Sequence, residues 1–221
     1  MNTNTRLATT TALLAALVAF PGCHFPFSRA EPVQHETLSS HTSPHAAALR
    51  RVAVLPFSLA DSVGRSARVM DASMTAALRE LGLHEVITVS VVQCEKLLPR
   101  DVIQSNHIGT DELLALRDAL HCDGVIVGRI EQFDGFDPLS MGVTAALVSC
   151  LDGTVTWSAT AHFDSRRKDV QDDIQAWYER TAGTNNESIA GWKLTLKSPQ
   201  MFTRYCAEKL ALSIPLPVAK R

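Results

Sequence analysis

One short turn constrains much of what this chain can fold into: Leu151-Asp152-Gly153, set between the arms Met141 to Cys150 and Thr154 to Phe163. Asp-Gly tolerates the positive φ angles that a tight β-hairpin requires. The second arm alternates. Val155, Trp157, Ala159, Ala161 and Phe163 fall on one face, and Thr154, Thr156, Ser158, Thr160 and His162 on the other. Side chains on a strand point alternately to its two faces, so the first set is expected to face a core.

Upstream, Val52-Ala53-Val54-Leu55-Pro56-Phe57 is a short apolar run closed by proline, the pattern of a buried strand. Met70, Met74, Leu78 and Leu81 follow at helical spacing, and Gly82 stops the helix. Glu85 to Val89 is a second strand. Strand, helix and strand so close together predict a βαβ unit with parallel strands. Val91 to Leu98 reads as a short helix after Ser90. Thr110 is placed to cap a helix over Asp111 to Leu120, whose apolar stripe is Leu113, Leu116 and Leu120. Gly124 to Ile130 is a third strand, and Gly128 within it signals a bulge or a close approach. The fold class is therefore α/β of the mixed α+β kind. A βαβ unit is followed by a helix, a strand and an antiparallel hairpin, in a single mixed sheet flanked by helices.

After the hairpin, the basic run Arg166-Arg167-Lys168 reads as an exposed loop. Val170, Ile174, Trp177, Tyr178 and Thr181 mark a helix ending near Gly183, followed by a polar loop from Thr184 to Ser188. Ser198-Pro199 supplies an N-cap and first-turn proline for a last helix through Phe202, Cys206 and Leu210. Residues 50–214 are thus expected to form one domain, with 165–197 as an added helical segment and 215–221 as a tail.

The amino terminus has a different character. Arg6 precedes an uncharged run, Leu7 to Phe20, then Pro21-Gly22-Cys23. That is the layout of a secretory signal peptide over residues 1–22, and the run is shorter than the roughly 20 apolar residues a membrane span needs. Gly22-Cys23 resembles the end of the bacterial lipobox, although Phe20 and Pro21 depart from it. The resemblance implies a diacylglyceryl thioether on Cys23 and a fatty amide on its freed amine, several acyl chains being enough for stable anchoring. The alternative is ordinary cleavage after Ala30, with small residues at Ser28 and Ala30. Residues 23–49 then form a lipidated flexible linker. Pro26, Pro32, Pro44 and many Ser, Thr and His give it no apolar periodicity. His41 and His45 within it are read as solvated, not as a metal pair.

Removing residues 1–22 leaves just under 200 of the 221, enough for a real core. A net charge of −2 gives no electrostatic argument for nucleic acid. Beyond Cys23, the cysteines are Cys94, Cys122, Cys150 and Cys206. They allow three disulfide pairings, and buried free thiols are an equal reading. His121-Cys122-Asp123 clusters potential ligands, but neighbours on a turn or strand diverge, so it reads as the lead-in to the third strand. Asp172 and Asp173 are explained by a helix start, Trp177 and Tyr178 by an apolar stripe, and His162 by the polar hairpin face. No phosphate-cradling glycine loop, zinc-binding HExxH or nucleophile elbow is present in the sequence. No catalytic residue, metal or cofactor is assigned, and no small-molecule substrate is evident.

From residue 51 to 163 the order of elements resembles a family of envelope proteins. It comprises the curli-secretion lipoprotein, the lipoprotein activator of penicillin-binding proteins and the N-terminal domain of the Tol-system propeller protein. The residues that carry the resemblance are Val52 to Phe57, the helix ending at Leu81-Gly82, Val86 to Ser90, Leu113 to Ile130, and the hairpin through Asp152-Gly153-Thr154-Val155-Thr156-Trp157-Ser158. It implies a non-enzymatic envelope lipoprotein that binds a protein partner, in envelope assembly or secretion, anchored by lipid in the outer membrane and facing the periplasm. The connections between strands are too short for the membrane inserts of the curli-secretion protein, so a secretion-pore subunit is the weaker alternative. An exported enzyme with an unrecognised site is the other. Residues 165–197 do not align to the family, and Arg166, Arg167 and Lys168 within them are the candidate partner-binding residues.

Overall fold

The structure, a computed structural model, describes residues 37–43, 49–60, 69–82, 85–100, 102, 108–182 and 191–214. Its strands are β1 (Leu38–Thr42), β2 (Arg51–Val54), β3 (Ser58–Leu59), β4 (Glu85–Thr88), β5 (Gly124–Asp134), β6 (Ser140–Ser149) and β7 (Val155–Asp164). Its helices are α1 (Met70–Leu81), α2 (Val91–Leu97), α3 (Thr110–Leu120), α4 (Lys168–Ala182) and α5 (Pro199–Leu212), with a 3-10 turn at Gly191–Leu194 before the last. One mixed sheet runs β1-β7-β6-β5-β2-β4, and β3 adds to β5.

Alternation along β2 builds two cores. Val52 and Val54 point into a cluster with Met70, Met74 and Leu78 of α1, the inward hairpin residues, and α4 and α5. Ala53 points the other way, onto Cys94 of α2 and Leu113, Leu116 and Leu120 of α3. The connectivity explains the division. β2 pairs in parallel with β4 on one side and with β5 on the other, so the chain crosses outward through α1 and returns through α2 and α3. Crossovers of one hand taken in opposite directions put their helices on opposite faces of the sheet.

The local signals act as their chemistry requires. Gly82 caps α1 at φ 63°, a left-handed angle that costs glycine little. The Ser90 and Ser198 side chains accept from the backbone N–H groups of Gln93 and Met201. Thr110 is the first residue of α3 rather than its cap, which is Gly109, without a capping side chain. Gly128 marks a close approach: a Cβ there would lie 2.1 Å from the ring of Phe57. The β5 irregularity comes two residues later, between Ile130 and Gln132.

Two expectations are corrected. Leu38–Thr42, read as part of the flexible linker, is edge strand β1, antiparallel to β7. Only Leu38 of the five is even partly buried, so the strand is held by backbone pairing and leaves no apolar pattern in the sequence. On β7, Trp157, Ala159, Ala161 and Phe163 face the core as expected, but Val155 is 50% exposed and Thr156 is buried. A register shift at Leu147/Val148 pairs Val148 with Val155 and passes over Thr156, which reverses the alternation at that end.

The signal segment, Cys23, His45, the loop from Thr184 to Ser188 and the tail from Pro215 lie outside the described residues.

Candidate partner-binding surface

Three chain segments meet at one end of the sheet. β5 ends at Asp134, β6 begins at Ser140 and β7 ends at Asp164, and the ladder places them side by side through the pairs Asp134–Ser140 and Ser140–Asp164. The loop from Gly135 to Leu139 and the turn from Ser165 to Arg167 therefore adjoin, tied by Ser165 N–H donating to Leu139 O at 2.9 Å. β1 starts at this same end. His162 N–H donates to Thr37 O at 2.9 Å, and the Thr37 hydroxyl donates to Asp169 Oδ2 at 3.3 Å.

The basic run lies here, and its charges are matched one by one. Arg166 Nε donates to both Asp164 oxygens at 3.0 and 3.1 Å, and Nη2 donates to Oδ2 at 2.7 Å. Asp164 also accepts the Arg166 backbone N–H at 2.9 Å. This guanidinium holds the Asp164 carboxyl below the usual carboxylate range. Arg167 grips Asp169 with Nε at 3.0 Å and Nη2 at 2.6 Å, which lowers Asp169 in the same way. Lys168 pairs with Asp172 one turn along α4. The run is thus not one loop: Ser165 to Arg167 form the turn, and Lys168 opens the helix. Nor is it an unbalanced positive patch, because each cation stands beside its own carboxylate. Exposure differs sharply within it. The Arg166 and Lys168 side chains are 69% and 81% exposed, whereas Arg167 is half-buried.

α4 docks through Val170, Ile174 and Trp177, with Tyr178 partly covered, as its stripe predicts. Two carboxylates lock it to α5. Asp173 accepts from the Tyr205 hydroxyl at 2.7 Å and from Lys209 Nζ at 2.9 Å. Glu208 accepts from Trp177 Nε1 at 2.6 Å and pairs with Arg180. Burial and the adjacent Asp173 push the Tyr205 phenol well above its usual range. Asp172 and Asp173 diverge, one to solvent and one into the helix interface. His121, Cys122 and Asp123 diverge as well. His121 is the exposed left-handed cap of α3, Cys122 is buried, and Asp123 Oδ2 accepts the Arg50 and Arg51 backbone N–H groups.

Sequence reasoning missed Phe136. Its ring is 84% exposed in the loop between β5 and β6, at the same end of the sheet as Arg166. Lys197 reaches the same loop through an ion pair with Asp137 at 3.3 Å. A phenylalanine inside Asp134-Gly135-Phe136-Asp137-Pro138 is a visible signal, since a turn-forming stretch cannot bury it.

No protein-family model and no curated protein sequence matches the chain. Solved structures similar to it include the PelC dodecamer from Paraburkholderia phytofirmans, at 19% identity and TM-score 0.42, covering 59% of this chain and 84% of that one. Lipoprotein GNA1162 from Neisseria meningitidis is similar at 18% identity and TM-score 0.42, covering 62% and 99%. LpoB from E. coli is similar at 12% identity and TM-score 0.39, covering 72% and 94%.

Proposed function

We propose that this chain is an exported, non-enzymatic lipoprotein, held by lipid on Cys23 at the periplasmic face of the outer membrane, where it binds a protein partner in the cell envelope. The observation that carries the reading is the uncharged run Leu7 to Phe20 closed by Gly22-Cys23. The geometry of the folded domain supports it. The segment from Cys23 joins the sheet at Thr37, at the end that carries Phe136 and Arg166. Thr37 lies fourteen positions along the chain from Cys23, a span of at most about 50 Å when fully extended. Anchoring at Cys23 would therefore confine that end of the domain to the neighbourhood of the membrane.

The partner surface centres on Phe136 and Arg166, flanked by Lys168. An exposed aromatic ring at the same sheet end as a guanidinium already oriented by a carboxylate is the composition from which binding hot spots are built. Because the three cations carry matching carboxylates, recognition here would depend on shape, ring burial and the directed guanidinium more than on long-range attraction.

Two measurements test the reading. Cys23→Ser should move the protein from the membrane to the soluble fraction. A soluble wild-type protein whose mature end is Glu31 would rule out lipidation. Phe136→Ala should leave thermal stability unchanged and remove crosslinks formed in intact cells. Undiminished crosslinking by that variant would rule out this end of the sheet as the interface.

A further inference from the structure

The fold sorts the four cysteines that the sequence left open. Cys206 sits on α5 in the core beneath one face of the sheet, and Cys94, Cys122 and Cys150 lie in the core beneath the other. Only two approach each other among the described residues: Cys122 Sγ and Cys150 Sγ are 3.9 Å apart, both buried. The backbone holds them there. Gly124 pairs with Ser149, and Cys150 N–H donates to Asp123 O at 2.8 Å, so the two residues flank the last rungs of the β5–β6 ladder. A disulfide needs about 2 Å less between the sulfurs, a closure within reach of side-chain rotation and without a change in strand register.

We propose that Cys122 and Cys150 are joined by a disulfide in the exported protein, formed while the chain folds. The oxidising compartment rests on the export reading above, whereas the choice of pair rests on geometry alone. The oxidant is a disulfide, either of a protein or of a low-molecular-mass thiol. Cys122 thiolate attacks one sulfur of it, giving a mixed disulfide and releasing the first oxidant thiolate. Cys150 thiolate then attacks the Cys122 sulfur and releases the second. Two electrons pass to the oxidant, which leaves as two thiols. Both thiols are buried in the folded protein, in the core that α3 helps to close, so exchange belongs to the stage before α3 packs. The product staples the base of the β5–β6 hairpin to the foot of α3.

The test refolds the full chain from denaturant with oxidised and reduced glutathione, then blocks remaining thiols and maps the peptides. The expected result is one Cys122–Cys150 crosslink, a mass lower by two hydrogens, and a melting temperature about 5–10 °C above the reduced form. Cys94→Ala with Cys206→Ala should keep the shift, and Cys122→Ala with Cys150→Ala should abolish it. A different pairing, or no crosslink in the refolded wild type, overturns the proposal. A second arm traps thiols with acid in intact cells. A crosslink in signal-processed protein supports the proposal, and free thiols in processed protein overturn it. Free thiols in protein that still carries Met1 overturn the export reading and the cellular bond with it, leaving the in vitro pairing to report on the geometry.

Discussion

Thr156 is buried at a strand position that simple alternation assigns to solvent, and its hydroxyl donates to Leu147 O at 3.0 Å. That bond supplies a partner to a carbonyl beside the register shift, where the regular ladder is interrupted. Thr156→Val keeps the shape and deletes the donor, and should cost about 1–2 kcal/mol. Neighbouring Trp157 is fully buried, with its Nε1 donating to Ser213 Oγ at 3.2 Å, and Trp157→Ala should cost about 3–5 kcal/mol. Thr160, exposed on the outward face, is the proper control, and Thr160→Ala should stay within about 0.5 kcal/mol of wild type. Urea denaturation of the three variants checks all of this. A Thr156→Val protein as stable as Thr160→Ala would place Thr156 back on the solvent face.

Among the elements, β1 is the least visible in sequence and the easiest to test. Ser43 N–H donates to Thr156 O and His162 N–H to Thr37 O, so the pairs in register between them, Ser39–Thr160 and His41–Ser158, are the ones that exchange hydrogen bonds. Ser40 N–H faces away from β7. His41→Pro should therefore lower stability by about 1 kcal/mol or more, while Ser40→Pro should be much milder. Equal melting for both would show that the segment does not pair. At the other edge, Arg79 of α1 donates from Nη2 to Val86 O of β4 at 3.1 Å, occupying an acceptor that an open edge would offer to another chain. The turn before α4 has a pH signature. Asp164 is held below its unfolded value near 3.9 by Arg166, so its contribution is full above that pH and is lost as pH falls through the folded value. Arg166→Gln should lower the urea midpoint at pH 7, and the gap to wild type should close as the pH falls through the folded value of Asp164. A gap that persists in acid would mean that Arg166 acts through packing.

At the scale of the whole molecule, the two faces of the sheet differ in what they present. α1, α4 and α5 cover one face, α2 and α3 the other, and the loops carrying Phe136 and Arg166 project from the end that receives β1. A photo-crosslinking residue at Lys168, 81% exposed, should capture a partner in intact cells. The same residue at Val92, 63% exposed on α2 across the sheet, should not. Capture from both positions with equal yield would point to random collision at the membrane and away from a defined interface.

Wherever burial follows a period, residues alone determined the outcome. Met70, Met74 and Leu78, the Leu113–Leu116–Leu120 stripe, and the inward set from Trp157 to Phe163 were all legible, because helix and strand geometry convert spacing directly into a face. Gly82, Ser90 and Ser198 marked their boundaries because caps are local chemistry. Wherever pairing or proximity between distant segments decides, the sequence was silent. β1 has no apolar face and exists through backbone bonds to β7. Thr156 turned inward because a one-residue shift against β6 reverses alternation. The gathering of Phe136 with Arg166 at one sheet end and the choice of Cys150 as the neighbour of Cys122 both depend on where the ladder sets its register. Periodicity acts through each residue's near neighbours in the chain, whereas register is a property of two strands together, and only the tertiary structure brings both to one place.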